Sequence, residues 1–187
     1  SILKPTEYIK DNTIAYLNLL EHFKNSKKIK AIFYASSSSV YGDVSNDYEK
    51  ELSYKPISVY GDVSNDYEKE LSYKPISVYA VSKLSMELLS VVYFHLYSLK
   101  CVGLRFFTVY GPWGRPDMAY FKFSKLITEN KKIEIYNKGN HSRSFTYIDD
   151  IIDNLLKLEK KLNKVNFLKN SVFNLGNPKT VTLNKFV

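Results

Sequence analysis

Apolar residues recur at helical spacing between residues 6 and 23, at Ile9, Tyr16, Leu17, Leu20 and Phe23, which predicts a helix there. The next run, AIFYA at 31–35, is apolar without alternation. That is the pattern of a strand covered on both faces, as in a parallel sheet. Four serines, 36–39, follow it and read as the polar end of that strand. Residues 79–99 (YAVSKLSMELLSVVYFHLYSL) predict a long helix, 102–109 a second strand and 118–128 a further helix. Short strands are expected at 133–136, 144–147 and 172–175. Asp149 or Asp150 is expected to cap a helix running to about Lys161, and residues 180–187 read as the start of another. Strands alternating with helices imply an α/β fold, a doubly wound, largely parallel Rossmann-type sheet.

Between the first strand and the long helix the pattern stops. VYGDVSNDYEKELSYKPIS occupies residues 40–58 and again 59–77 without one difference. Its Gly, Asp, Asn, Ser and Pro content reads as loop. Two copies are too few for a solenoid, and complete identity suggests a tandem duplication.

The chain has 187 residues, enough for one domain with a real core, and it is 44% hydrophobic, which excludes a disordered chain. No apolar run approaches the ~18–20 residues of a membrane span. Residues 1–10 are polar and read as the approach to a helix rather than a leader, and one cysteine, Cys101, suits a reducing compartment. A cytoplasmic protein is expected. The net charge is +8, but the lysines are scattered without a basic stripe, so a solvated surface is expected rather than nucleic-acid binding. No metal site is expected. Of 27 basic residues three are arginine, Arg105, Arg115 and Arg143, residues suited to places that need a planar fork of donors.

Tyr79 and Lys83 stand four apart, one above the other on a helix face. A free tyrosine is a poor base near neutrality, and a neighbouring ammonium favours its phenolate, so Tyr-x-x-x-Lys can serve as a general base for a hydroxyl. The same spacing also arises by chance on amphipathic helices. Hydroxyls clustered at the C-terminal end of a buried strand, where open α/β sheets bind ligands, make the chemical reading more specific.

Four stretches carry a resemblance: ASSSSVYG at 35–42, YAVSK at 79–83, GLRFFTVYGPWGRPDMAYFKF at 103–123 and RSFTYIDDI at 143–151. They resemble the extended short-chain dehydrogenase/reductase family, within it nucleotide-sugar 4-epimerases, and most of all UDP-glucuronate 4-epimerases of the bacterial capsule type. The resemblance implies NAD as cofactor and a redox-neutral epimerisation through a 4-keto sugar. It assigns the proton of the sugar 4-hydroxyl to Tyr79, with Lys83 supporting Tyr79 and holding the nicotinamide ribose, and Ser37 bonding the same hydroxyl. Asn12, Ser36 and Phe106 would lie against the cofactor, with Phe107 beside Phe106. Ser38, Thr108, Arg115, Tyr136 and Arg143 would meet the UDP-sugar: Thr108 and Arg115 the carboxylate at C6, Arg143 the diphosphate, Tyr136 the uracil. Arg105 reads as structural and Trp113 as packing. UDP-glucose or UDP-N-acetylhexosamine remains open as substrate, as does a non-catalytic relic.

The resemblance also implies one copy of the repeat between Ser37 and Tyr79: their separation is 42 residues, and 42 − 19 = 23 restores a single-copy loop. Tyr60, at the junction, has no lysine four residues on. No carboxylate follows Ser37, which favours epimerase over dehydratase. The family's Asp after the diphosphate arginine is Ser144 here. No G-x-G-x-x-G occurs, so both ends read as cut, with the first βαβ units missing and the chain as it stands expected to be inactive. The expected division is 1–111 as part of the NAD-binding domain and 112–187 as the start of the substrate domain. A homodimer through the helices at 6–23 and 79–99 is also implied.

Overall fold

The computed structural model describes residues 2–42, 73–135, 139, 142–162 and 171–187. The N-terminal helical run is α1 (Pro5–Tyr8), a π-helical turn over Ile9–Ile14, and α2 (Ala15–Phe23). Strand β1 (Ile32–Ser37) passes into a 3₁₀ turn, Ser38–Tyr41. Then come α3 (Val78–Tyr97), β2 (Cys101–Phe106), β3 (Thr108–Tyr110), α4 (Ala119–Thr128), β4 (Ser142–Tyr147) and α5 (Ile148–Leu162). The chain closes with β5 (Ser171–Leu175), β6 (Thr180–Thr182) and α6 (Leu183–Phe186).

One sheet has the order β1-β2-β5, every pair parallel, with Ser37 beside Phe106 and Phe106 beside Leu175 at its C-terminal edge. Residues alternate between the faces of β2. Cys101 joins Tyr16, Leu20, Tyr34, Met86, Tyr93 and Leu99, so α2 and α3 cover that face. Val102 and Leu104 join Ile151, Leu158, Phe173 and Leu175, so α5 covers the other. This is the sandwich that the unbroken apolar run at 31–35 predicts. Gly103 belongs to the first face because Tyr34 lies across it: a Cβ there would stand 2.5 Å from the Tyr34 hydroxyl. The second sheet has the order β3-β4-β6, parallel then antiparallel.

The pattern fails in four places. Residues 102–109, expected as one strand, divide at Phe107 between the two sheets; Phe107 still donates its N–H to the Leu175 carbonyl, ending the first sheet as Thr108 begins the second. Residues 133–135 are not strand, having no neighbour to pair with among the described residues, and 136 lies outside them. Asp149 and Asp150 lie inside the first turn of α5 rather than at its cap, where their charge favours the positive end of the helix dipole. At 180–187 a strand comes first: β6 completes the second sheet before α6 begins.

The doubled segment lies outside the described residues between 43 and 72, but the chain on either side of it meets. Gly42, at φ +81°, packs so closely on Lys74 that a Cβ would stand 2.0 Å from the Lys74 carbonyl oxygen. The backbone thus re-enters where it left.

Candidate active site

Helix α3 starts cleanly because the Ser77 hydroxyl accepts the Ala80 N–H at 3.1 Å and the Ser77 carbonyl accepts that of Val81. Tyr79 and Lys83 therefore fall in its first two turns. The half-buried Lys83 ammonium donates to the Ala35 carbonyl at 3.0 Å and stands 5.8 Å from the centre of the Tyr79 ring. Burial pulls the Lys83 pKa below its ordinary value. Two residues beyond Ala35, the buried Ser37 hydroxyl accepts the Ser39 N–H at 3.2 Å. The Ser39 hydroxyl is itself buried, with no hydrogen-bond partner among the described residues. One lysine thus ties the serine strand to the tyrosine helix.

The N-terminal helical run reaches the same place through its π turn. An extra residue in a helical turn re-aims side chains. Here Asn12 donates to the Ser82 hydroxyl at 2.9 Å, and Ser82 donates to the Tyr79 carbonyl at 2.7 Å. Ala80 and Ser82, fully buried, are small enough for the two helices to approach this closely. Tyr8 meets Tyr79 edge to face, with ring centres 5.8 Å apart. It escaped the sequence reading; its one sequence signal is the four-residue spacing to Asn12.

Behind the serine strand lies a buried ion pair. Arg105 on β2 grips Glu87 of α3 with two hydrogen bonds, 2.9 and 2.6 Å, each side chain about 5% exposed. The Ser36 hydroxyl also donates to Glu87, so among the serines Ser36 faces inward while Ser37 faces the other way. Arg105 donates further to the hydroxyls of Tyr41, at 2.7 Å, and Tyr73, at 3.1 Å, and lies over both rings. The Tyr41 hydroxyl in turn donates to the Asn174 side-chain carbonyl of β5 at 2.8 Å. Burial opposes the guanidinium charge, but Glu87 and the two tyrosines more than offset that and keep it protonated. Burial also raises the Tyr41 pKa. The structural reading of Arg105 holds, and its partner Glu87 is a residue that sequence reasoning passed over.

Arg115 is exposed and held by Asp117 through two hydrogen bonds, 2.9 and 2.8 Å; these, with lesser contributions from the fields of Tyr8 and Tyr79, raise its pKa. Thr108, half-buried, opens β3 opposite Phe145. Phe106, half-buried, packs on the second apolar cluster, and Phe107 covers Gly176. Arg143 is exposed on β4, bonding the Ser142 carbonyl, while Ser144 is buried and donates to the Asn177 carbonyl. Trp113, expected to pack, is wholly exposed at φ +64°: the tight turn closed by the Gly114 N–H on the Gly111 carbonyl carries it out of the protein. Tyr136 lies outside the described residues, and Ser38 is half-buried at the head of the 3₁₀ turn. No metal-binding cluster and no helix long and apolar enough to cross a membrane occur among the described residues.

The family model described as NAD dependent epimerase/dehydratase family matches residues 1–62 and 57–176. The two matches overlap, and each contains one whole copy of the repeat. Protein CapI of Staphylococcus aureus is 41% identical over 203 residues, covering 100% of this chain and 54% of CapI. UDP-glucuronate 4-epimerase 4 of Arabidopsis thaliana is 42% identical over 196 residues, covering 98% of this chain and 40% of its own. UDP-glucuronic acid 4-epimerase from Bacillus cereus, solved with UDP-glucuronic acid and NAD, superposes with a TM-score of 0.78 at 34% identity, over 97% of this chain and 51% of its own. The chain spans about half the length of the curated relatives it matches.

Proposed function

The chain belongs to the NAD dependent epimerase/dehydratase family, and from that premise we propose that its residues carry the proton-transfer and sugar-binding part of a UDP-sugar 4-epimerase acting on UDP-glucuronate. Tyr79 takes the proton of the sugar 4-hydroxyl, and Ser37 bonds that oxygen and orients it. NAD, held by these residues, would supply reversible hydride acceptance at C4, so that the overall change is redox-neutral. Tyr79 then gives the proton back, so electrons and protons balance over the cycle. Lys83 supports the phenolate and offers its remaining N–H donors to a ribose hydroxyl. The observation that carries this reading is the Lys83 ammonium, joined to the serine strand at Ala35 and set beside the Tyr79 ring.

The residues present fit the cofactor: a half-buried ammonium whose one described bond leaves donors to spare, and a buried Ser39 hydroxyl without a partner among the described residues, both lie at the C-terminal edge of a parallel sheet. Asn12, Ser36 and Phe106 would frame it, Asn12 and Ser36 through the helix and carboxylate they bond. Thr108 and Arg115 are assigned to the C6 carboxylate, Arg143 to the diphosphate, and Ser38 and Tyr136 to the remainder of the UDP-sugar. The glucuronate reading rests on the similarity to UDP-glucuronate 4-epimerases and on the exposed guanidinium fork of Arg115, a donor set that suits a carboxylate. The cofactor part is assigned to 1–111 and the sugar part to 112–187, with β5 returning to the first sheet.

A homodimer is part of the same proposal. Val81, Leu88, Val92 and Leu96 lie 42–60% exposed at helical spacing along α3, an apolar stripe that a second copy would cover. A chain with one cysteine suits the cytoplasm.

The test is a chimaera in which these residues, with one copy of the repeat, replace the matching part of the Bacillus cereus enzyme. It should interconvert UDP-glucuronate and UDP-galacturonate, and Tyr79→Phe should lower kcat by about 10²–10⁴-fold. A folded chimaera that binds NAD but turns over no UDP-sugar would overturn the reading; turnover of UDP-glucose alone would overturn the substrate.

A further inference from the structure

One guanidinium holds both sides of the gap between the serine strand and the tyrosine helix. Tyr41 follows the serines by two residues, and Tyr73 precedes the α3 cap, Ser77, by four. Arg105 donates to both hydroxyls and lies over both rings, 4.8 and 5.1 Å from their centres. Two more of its donors go to Glu87, one helical turn after Lys83 on α3. Beside this clamp Gly42 rests directly on the Lys74 carbonyl.

We propose that Arg105 is a positioning residue: by gripping Tyr41 and Tyr73 together it sets the Ser37 turn against the first turn of α3, whatever length of chain joins them. The catalytic consequence rests on the roles proposed above for Ser37 and Tyr79; the clamp itself does not. The repeat is what makes this a distinctive requirement. Tyr41 belongs to the first copy and Tyr73 to the second, so the clamp takes one tyrosine from each. Closing a longer loop costs little, growing only with the logarithm of its length. Once Gly42 and Lys74 meet, added residues between them do not alter the geometry of the groups that follow. A planar fork flanked by two aromatic faces is a task that lysine, with a single ammonium, does not reproduce.

The experiment is residue-resolved amide hydrogen exchange on the full chain. Four forms are compared: the parent, Tyr41→Phe with Tyr73→Phe, Arg105→Lys, and a deletion of residues 43–61, which leaves a single copy of the repeat and every described residue in place. Loss of the two hydroxyls should make the Ser39, Gly42, Ala80 and Val81 amides exchange about tenfold faster, with Leu104 and Phe173 in the sheet unchanged. Arg105→Lys should give the same local pattern, and the deletion should match the parent. The tyrosine pair keeps the test decisive if Arg105→Lys does not fold. Unchanged local exchange, or equal acceleration at Leu104 and Phe173, would overturn the clamp. So would a deletion that loosens the same four amides, since loop length would then be setting them. None of these readings depends on activity, so an inactive chimaera would count against the epimerase assignment and leave this result standing.

Discussion

The Lys83 ammonium stands 5.8 Å from the centre of the Tyr79 ring, one helical turn away, and its hydrogen bond to Ala35 carries the first helix of the site onto the serine strand. Burial lowers the Lys83 pKa in the folded chain. Between that lowered value and the ordinary lysine value of about 10.4, the unfolded chain holds more protons than the folded one, so stability from this group rises with pH. Lys83→Met removes that part of the dependence. Urea unfolding at about pH 7 and about pH 10 should show the parent gaining stability relative to Lys83→Met as pH rises. A gap that stays constant or moves the other way would mean that Lys83 is not desolvated.

The Arg105–Glu87 pair should behave as a buried pair does. Arg105→Met alone leaves the buried Glu87 carboxylate without its counter-charge, bonded only by Ser36 among the described residues, and should cost about 3–5 kcal/mol. Arg105→Met combined with Glu87→Met removes both charges and should cost far less than either change alone suggests. A double-mutant cycle by denaturant unfolding measures the coupling; additive losses would count against a desolvated pair.

At Gly42 a side chain meets backbone rather than a yielding side chain. Gly42→Ala adds a Cβ 2.0 Å from the Lys74 carbonyl oxygen at φ +81°, so the two ends of the doubled segment must separate. The expected loss is about 1–3 kcal/mol, read from the shift in unfolding midpoint.

The apolar stripe on α3 gives a test in solution. If a second copy covers it, Leu88→Lys with Leu96→Lys should convert a dimer to a monomer in sedimentation equilibrium with the far-UV spectrum unchanged. A parent that is monomeric at micromolar concentration would remove the proposal.

Substrate choice should turn on Arg115 and on Asp117, which now occupies its fork. In the chimaera, Arg115→Ala should depress kcat/KM for UDP-glucuronate by about 10–150-fold and change UDP-glucose turnover far less. Asp117→Asn, which frees the guanidinium, should shift the ratio toward UDP-glucuronate. Equal losses on both substrates after Arg115→Ala would place Arg115 on the shared diphosphate instead.

Much of the molecule was legible along the chain because its elements obey local rules. The unbroken apolar run AIFYA marked β1 as doubly covered, residues 102–109 and 172–175 were legible as strands and 79–99 as a helix, and the 3.6-residue stripe marked the helical run at 6–23. Tyr79 and Lys83 could be paired from spacing alone, since a helix puts residues four apart on one face. The identity of the two repeats, and which of them adjoins the tyrosine helix, needed nothing but the letters.

Other features depended on what residues far apart in sequence meet. Strand residues 102–109 divide at Phe107 because two different neighbours, β5 and β4, compete for the backbone, and an apolar pattern does not record which neighbour a strand will have. Ser36 and Ser37 look alike in a run of four, yet strand alternation turns one toward Glu87 and the other away once β1 is seated against α3. Trp113 was expected inside by its type; the turn that carries it out is set by close packing of Gly111 against Ile148 and of Gly114 against Phe121. Sequence alone determined which residues are able to do chemistry, because side-chain type and local spacing are carried by the chain itself. Only the tertiary structure decided that Arg105 joins Tyr41 to Tyr73, because a buried charge takes its partners from whatever the folded chain brings within hydrogen-bonding distance.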